Sequence, residues 1–466
     1  MTDTPTLIAE LIKSRVLAIN DGYRAKNSEL SHDGFPFARA QNINNGFHFD
    51  GADCFPLQDI HKVGVKVSQP GDVVFTSKGT VGRFAFVGDE VPRFVYSPQL
   101  CFWRVLDCDR LHARWLYYWM QSREFYLQFT GVAGQTDMAE YVSLRDQRCM
   151  HITIPPLAEQ KAIAHILGTL DDKIEVNRRM NETLEGMARA LFKSWFVDFD
   201  PVLDNALAAG NPIPEEYRDR AAQRADAATS AASQGRPFGL PNPLAAQFPN
   251  AFHDSDLGPI PQGWEVRNLG ELCAKPQYGY TASAKDEPIG PRFLRIKDIN
   301  KSPWIEWASV PYCEISDKDL EKYTVYRGDL LIARMADPGH GVLVEGERDA
   351  VFASYLIRFR PQNPEHQHYL QLWLKSDGYW QLINSRKTGT TRASLNAQVL
   401  SRLPLVVPSS DTCTIFSSIV SRFRKRGNAN VEHSESLAAL RDTLLPKLLS
   451  GELRVNDAEK FVEAAV

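Results

Sequence analysis

The chain lacks the marks of most chemistries that a polypeptide of 466 residues can carry. No Gly-Lys dipeptide occurs, so the phosphate cradle G-x-x-x-x-G-K-[ST] is excluded, and no G-x-G-x-x-G follows a strand pattern. ATP hydrolysis by this chain is therefore not expected. An amino-methyltransferase tetrapeptide of the Asp/Asn-Pro-Pro-aromatic type is missing as well. Asp200-Pro201-Val202, Asn242-Pro243-Leu244, Asp337-Pro338-Gly339 and Asn363-Pro364-Glu365 all lack the second proline. Neither H-E-x-x-H nor G-x-S-x-G is present. His366-x-His368 reads as an exposed pair ahead of an aromatic-rich helix and receives no metal role. Asp146 followed by Glu159-Gln160-Lys161 has a nuclease-like order, but a helix start explains the same residues.

Cysteine is sparse and scattered. The seven (54, 101, 108, 149, 273, 313 and 413) are odd in number and never spaced C-x-x-C, which excludes a disulfide framework or zinc knuckle and predicts free, mostly buried thiols. No run approaches the roughly 18 apolar residues of a membrane helix, and Asp3 stands early in a start without a basic segment. A cytoplasmic protein with no membrane contact is expected. Basic charge is not in excess: 53 Lys and Arg face 57 Asp and Glu, a net of -4, so any grip on nucleic acid must be local or shared. With 43% apolar and 24% charged residues the chain is an ordinary globular one of roughly two to four domains.

What is present is a tandem repeat. Gly22-Tyr23 matches Gly279-Tyr280 and Gly71-Asp72 matches Gly328-Asp329, both at an offset of 257. Phe37-x-Arg39 and Ile43-Asn44 match Phe293-x-Arg295 and Ile299-Asn300 at 256. Trp115-Leu116, Trp119 and Ser122 match Tyr369-Leu370, Trp373 and Ser376 at 254. Each half holds short apolar runs such as 72–75 and 329–332, Gly-rich turns, an aromatic helix and then a long helix, which predicts α+β (mixed α/β) lobes.

In the helix expected over 157–195, Leu167, Leu170, Ile174, Asn177, Asn181, Leu184, Ala188, Leu191 and Trp195 recur at spacings of three and four, the pattern of a coiled-coil seam. Its counterpart over about 411–450 places Ile419, Phe423, Arg426, Asn430, His433, Leu437, Leu440 and Leu444 on the matching seam. Asn177 and Asn430 coincide at an offset of 253. The alternative is an amphipathic helix packed on its own lobe. At 1.5 Å per residue the first helix reaches roughly 58 Å, so the expected architecture is two tandem lobes separated by two long helices in an antiparallel coiled coil. The Ala-, Pro- and Gly-rich stretch 201–262 reads as a tether or loosely packed crossover.

The segment 154–201, IPPLAEQKAIAHILGTLDDKIEVNRRMNETLEGMARALFKSWFVDFDP, resembles the central conserved region of type I restriction-modification specificity (S) subunits. LRDTLLPKLLSGEL at 440–453 resembles their C-terminal conserved region, and GWEVRNLG at 263–270 the opening of a second target-recognition domain. The departure is at 408–413, where PSSDTC replaces the first half's Pro-Leu-x-Glu-Gln opening, leaving Ser410 or Asp411 as candidate caps. The resemblance implies a first target-recognition domain over 1–153, a central helix over 154–200, the linker 201–262, a second such domain over 263–408, a C-terminal helix over 409–455 and a tail over 456–466. It implies a noncatalytic subunit whose lobes each read one half of an asymmetric bipartite target in double-stranded DNA, with the helices setting the gap. It further implies two methyltransferase (M) subunits and restriction (R) motor-nuclease subunits as partners. S-adenosylmethionine, ATP and Mg are then cofactors of those partners, with none in this chain.

Candidate readers follow from the donors and acceptors of base edges and phosphates. The stretch 378–410 contains Arg386, Lys387, Arg392 and Arg402 and no acid, and its basic loop includes Thr391. Gln135 and Thr136 are the first-half counterpart. Lys78, Thr80 and Arg83, and Arg334 in the matching turn, form a second pair of loops; Arg39 with Asn42, and Arg295 with Lys297, form a third. For each, a solvated surface charge is the rival. Residues 20–150 carry 14 basic and 15 acidic groups and 264–410 carry 19 and 17, so neither lobe is a basic clamp. Arg422, Arg424, Lys425 and Arg426 are expected to face solvent or a partner helix. Phe192, Trp195 and Phe196 are either a docking patch for a methyltransferase or buried in the lobe. Two other classes compete: an enzyme acting alone, and a two-headed coiled-coil adaptor without DNA readout.

Overall fold

The computed structural model describes residues 5–43, 46–78, 82–133, 142–300, 303–346, 349–386 and 394–465. The chain divides into two compact units, 1–176 with 434–466, and 177–433. The two are copies of one α+β design. In the first, an antiparallel sheet runs Leu17–Asp21, Leu100–Val105, Val73–Thr76, Phe84–Phe86, and Phe35–Ala38 lies parallel to Val95–Tyr96. In the second, the order is Gln277–Tyr278, Leu356–Phe359, Leu330–Ala333, Gly341–Leu343, and Arg292–Leu294 lies parallel to Ala350–Phe352.

The repeated dipeptides have physical causes. A Cβ at Gly22 would lie 2.0 Å from the Ser97 carbonyl oxygen, and one at Gly279 2.2 Å from that of Ala353, so the backbones approach as only glycine permits. The adjacent bonds repeat too: Tyr23 N donates to Tyr96 O at 2.7 Å and Tyr280 N to Phe352 O at 2.8 Å. Gly22→Ala or Gly279→Ala should cost about 1–3 kcal/mol through overpacking, read as a lowered urea midpoint at unchanged slope. In the Gly-Asp pairs the carboxylates are buried. Asp72 accepts from Gln69 N, the Tyr96 hydroxyl and Arg104, while Asp329 accepts from Tyr326 N and Arg360.

Both long helices span forty residues, Leu157–Phe196 and Ser410–Leu449. In the first unit their segments run antiparallel, with Leu170 and Ile174 in one apolar cluster with Leu437, Leu440 and Leu444, and Arg441 paired to Asp171 at 2.7 Å. In the second, Asn430 donates to Asn181 Oδ1 at 2.8 Å, Asn181 donates to the Gly427 carbonyl at 3.1 Å, and Asn177 meets His433 at 3.4 Å. The seam asparagines thus bond across the pair, as a register-fixing polar layer requires. Leu184 is half-buried, and Leu191 and Phe423 flank the second unit's core.

Arg426 does not sit in that seam. It is exposed, and Arg424 and Gly427 are the buried residues of that turn. Arg424, 3% exposed, stacks 4.2 Å over the Trp304 ring, bonds Glu345 through Nε at 2.9 Å and reaches Glu185 at 3.3 Å. Lys375 completes the network, 2.7 Å from Glu185. Burial alone would raise the Glu185 carboxyl, but Lys375 and Arg424 outweigh it and hold it low. Burial pushes the Lys375 ammonium down to about 8, against the pull of Glu185. Below pH 8 this lysine is charged folded and unfolded alike, and its burial penalty is present in full. Between about 8 and 10.5 only the unfolded chain keeps the proton, so this group's contribution to stability rises with pH. Lys375→Met should remove that rise, measured by urea unfolding at pH 8 and 10.

Three further expectations change, and one open alternative closes. Ser409, not Ser410 or Asp411, caps the second long helix: its hydroxyl accepts from Thr412 N at 3.3 Å and its carbonyl from Cys413 N at 3.0 Å, while Ser410 bonds Glu365. The stretch read as a tether folds into Asp200–Ala209, Arg218–Ser233 and a hairpin of Phe252–Ser255 with Gly258–Pro261. Alanine's helix propensity and the Arg220–Asp200 and Arg224–Asp204 pairs explain why. Phe192, Trp195 and Phe196 are buried with Tyr369 and Phe416, not displayed for a partner, because that helix end enters an aromatic core. His366 is buried rather than exposed, and burial lowers both it and His368.

The segment 456–466 contributes Ala458 and Val462 to the first unit's core from the helix Val455–Ala465. All seven cysteines are free, four of them buried. Asp146 closes a capping box with Ser143. Among the described residues no helix is long and apolar enough to cross a membrane.

Candidate nucleic-acid interface

The first unit gathers the bases of three loops at one sheet end. The 39–43 turn is pinned by Asn42, whose Oδ1 accepts from Arg39 N at 2.9 Å and whose amide donates to His48 O at 2.8 Å. Arg83 Nη1 donates to the carbonyls of Ala40, at 3.2 Å, and Ile43, joining this turn to the second loop. Gln99, exposed at the turn before Leu100–Val105, accepts from Ala40 N at 3.1 Å, and Ser77 N donates to its carbonyl at 2.9 Å. Val142 N in turn donates to Ser77 O at 3.1 Å, fixing where the third loop returns.

The second unit repeats three of these bonds. Arg295 N donates to Asp298 Oδ2 at 2.9 Å, Arg334 N to Tyr355 O at 2.9 Å, and Leu395 N to Arg334 O at 2.8 Å. Asn300 reaches Asp337 at 3.2 Å, Tyr379 donates to Gly339 O at 2.7 Å, and the Trp380 ring lies 4.7 Å from His340. Arg334 thus stands where Ser77 does, and Tyr355 where Gln99 does. The scaffold is shared and the displayed chemistry differs.

The donors are unequally spent. Arg39 pairs with Asp53 at 2.7 Å and Arg295 forks onto Asp298, while Lys78 and Lys297 are exposed. Arg334 lies 4.8 Å over the Tyr278 ring, and among the described residues its Nε is buried with no hydrogen-bond partner; so is Arg386 Nη1. Thr80, Gln135, Thr136, Lys387, Thr391 and Arg392 lie outside the described residues. Sequence reasoning missed Gln99, Tyr355 and Tyr278. The repeat offset would have paired Gln99 with Tyr355, and Tyr278 directly precedes the repeated Gly279-Tyr280. Among the described residues no group of His, Cys, Asp and Glu is arranged to hold a metal.

The family described as type I restriction modification DNA specificity domain matches residues 14–186 and 261–435, one copy for each half of the repeat. The HindI specificity subunit of Haemophilus influenzae is 25% identical over 419 residues, covering 85% of this chain and 90% of the relative. The MjaIX specificity subunit of Methanocaldococcus jannaschii is 23% identical over 406 residues, covering 85% and 81%. The crystal structure of a type I restriction-modification S subunit from M. genitalium has a TM-score of 0.49 at 13% identity, over 96% of this chain and 95% of that one. With the family matched twice over most of its length, the chain belongs to the type I restriction-modification specificity subunits.

Proposed function

We propose that this noncatalytic chain is the DNA sequence-recognition subunit of its complex, and that each lobe reads one half of an asymmetric bipartite target. The observation that carries this is the pair of three-loop platforms, built from equivalent backbone bonds and displaying different side chains. Different readers on one scaffold call for different half-sites, and the long helices would set the gap between them. Two methyltransferase subunits carrying S-adenosylmethionine are the partners we assign, joined by restriction subunits that bring ATP and Mg. With lobes of net -1 and +2, the chain alone should bind DNA weakly and salt-sensitively, because phosphate neutralisation supplies much of such affinity.

The test is a single-molecule methylome of cells expressing this chain with its methyltransferase, against cells lacking only this chain. One asymmetric bipartite motif that vanishes with the chain is expected; an unchanged pattern sinks the reading and favours an adaptor. Changing Arg386, Lys387 and Arg392 together to alanine should abolish methylation of the target with partner assembly intact. For every phosphate that these cations no longer neutralise, the slope of log affinity against log salt should flatten by about 0.9. Unchanged target methylation would refute the role of that loop.

A further inference from the structure

Of the sequence-identified arginines in the second lobe's first two loops, Arg295 is closed onto Asp298, both carboxylate oxygens being engaged, and nearby Arg358 and Arg360 bond Thr324 and Asp329. Arg334 alone of these four is fixed in place and chemically unspent. Its backbone is held on both sides, by Tyr355 O and Leu395 N, and its guanidinium lies over the Tyr278 ring at 4.8 Å. Tyr278 is itself anchored, since its hydroxyl accepts from Ala397 N at 3.0 Å at the start of the helix Ala397–Ser401. Its Nε is covered by protein and has no hydrogen-bond partner among the described residues, so the group's hydrogen-bonding capacity lies at its terminal nitrogens. Arg334 is half-buried under the stack, and its terminal nitrogens, unbonded among the described residues, offer a directional fork that suits two adjacent acceptors in one plane.

We propose that Arg334 reads a guanine in the half-site of the second lobe, bonding its O6 and N7 edge, and that Tyr278 is the residue that positions it. The inference rests on the recognition role proposed above and deepens it. The first lobe has Ser77 at the equivalent position, so its half-site is read there without a guanidinium fork.

The experiment is the methylation motif made by the complete methyltransferase complex, purified and assayed on a randomised DNA library, for the parent chain and for Arg334→Ala, Arg334→Lys, Tyr278→Ala and Tyr278→Phe. The expected result is the parent motif with a single guanine position of one half-site relaxed by about tenfold or more in Arg334→Ala, and the other half-site intact. Arg334→Lys, which keeps the charge without the fork, should relax the same position. Tyr278→Ala should reproduce the loss, and Tyr278→Phe, which retains the ring, should restore guanine preference. An unchanged motif in assembled Arg334→Ala complex overturns the inference and spares the recognition role. So does a uniform loss across all sequences with a shallower salt slope, which marks a phosphate contact. A parent complex that methylates without any motif overturns both.

Discussion

Changing Arg424 to alanine is expected to lower the unfolding free energy of the second unit by about 3–5 kcal/mol, because it strands Glu345 and part of Glu185 in a site largely shielded from water. The loss is not the worth of the ion pairs themselves. Desolvating four charges offsets most of their attraction, so replacing Arg424, Glu185, Glu345 and Lys375 together with apolar residues of similar volume should recover most of the stability. Urea unfolding followed by tryptophan fluorescence separates the two cases, and Trp304, against which Arg424 stacks, reports directly. A single-variant loss below about 1 kcal/mol would show instead that the network is open to solvent.

The second large effect is expected at the repeated aspartates. Asp72→Ala removes the acceptor for the Arg104 fork, at 2.6 and 2.7 Å, for the Tyr96 hydroxyl and for a turn N–H, and should cost about 3–5 kcal/mol. Asp329→Ala should fall at the lower end of that range. Its main partner Arg360 is 43% exposed, so water can take over the guanidinium, whereas Arg104 is 12% exposed. The difference between the two variants, measured on otherwise identical chains, tests whether burial of the cation decides the cost. Equal losses would point instead to the turn N–H that both carboxylates accept.

Much of the fold was legible because duplication turns isolated dipeptides into constraints. Gly22-Tyr23 and Gly279-Tyr280 mark the same close backbone approach, and the Gly-Asp pairs mark the same buried carboxylate. The seam was legible from periodicity through Asn177, Asn181 and Asn430. It failed at Arg426 because a three-four spacing does not show that Trp304 needs a glycine at 427: a Cβ there would lie 2.3 Å from the ring. Arg424 was read as facing solvent or a partner helix; it does reach Glu185 on the other long helix, while its burial against Glu345 and Trp304, remote in sequence, was not legible. The stretch 201–262 misled because its prolines and glycines sit at helix ends, while the alanines between them build helix. Of the candidate interface, the repeat paired the loops of the two halves, and the spent or unspent state of each arginine was not legible. That state depends on neighbours such as Asp53, Asp298 and Tyr278, which composition cannot assign.

The first unit draws its core from both ends of the chain: Leu17, Trp103 and Leu167 pack with Leu437, Leu444, Leu448 and Val462. The second unit is contiguous, complete once residue 433 is made. During synthesis the order of appearance is therefore not the order of completion. At 5–20 residues per second, roughly 15–60 s separate residue 176 from the residues that close the first core. Throughout that interval the nascent chain holds a finished or folding second unit beside an unsealed apolar surface. A ribosome that stops short of the last helix leaves this surface open, so truncated products should be prime clients for chaperones and proteases.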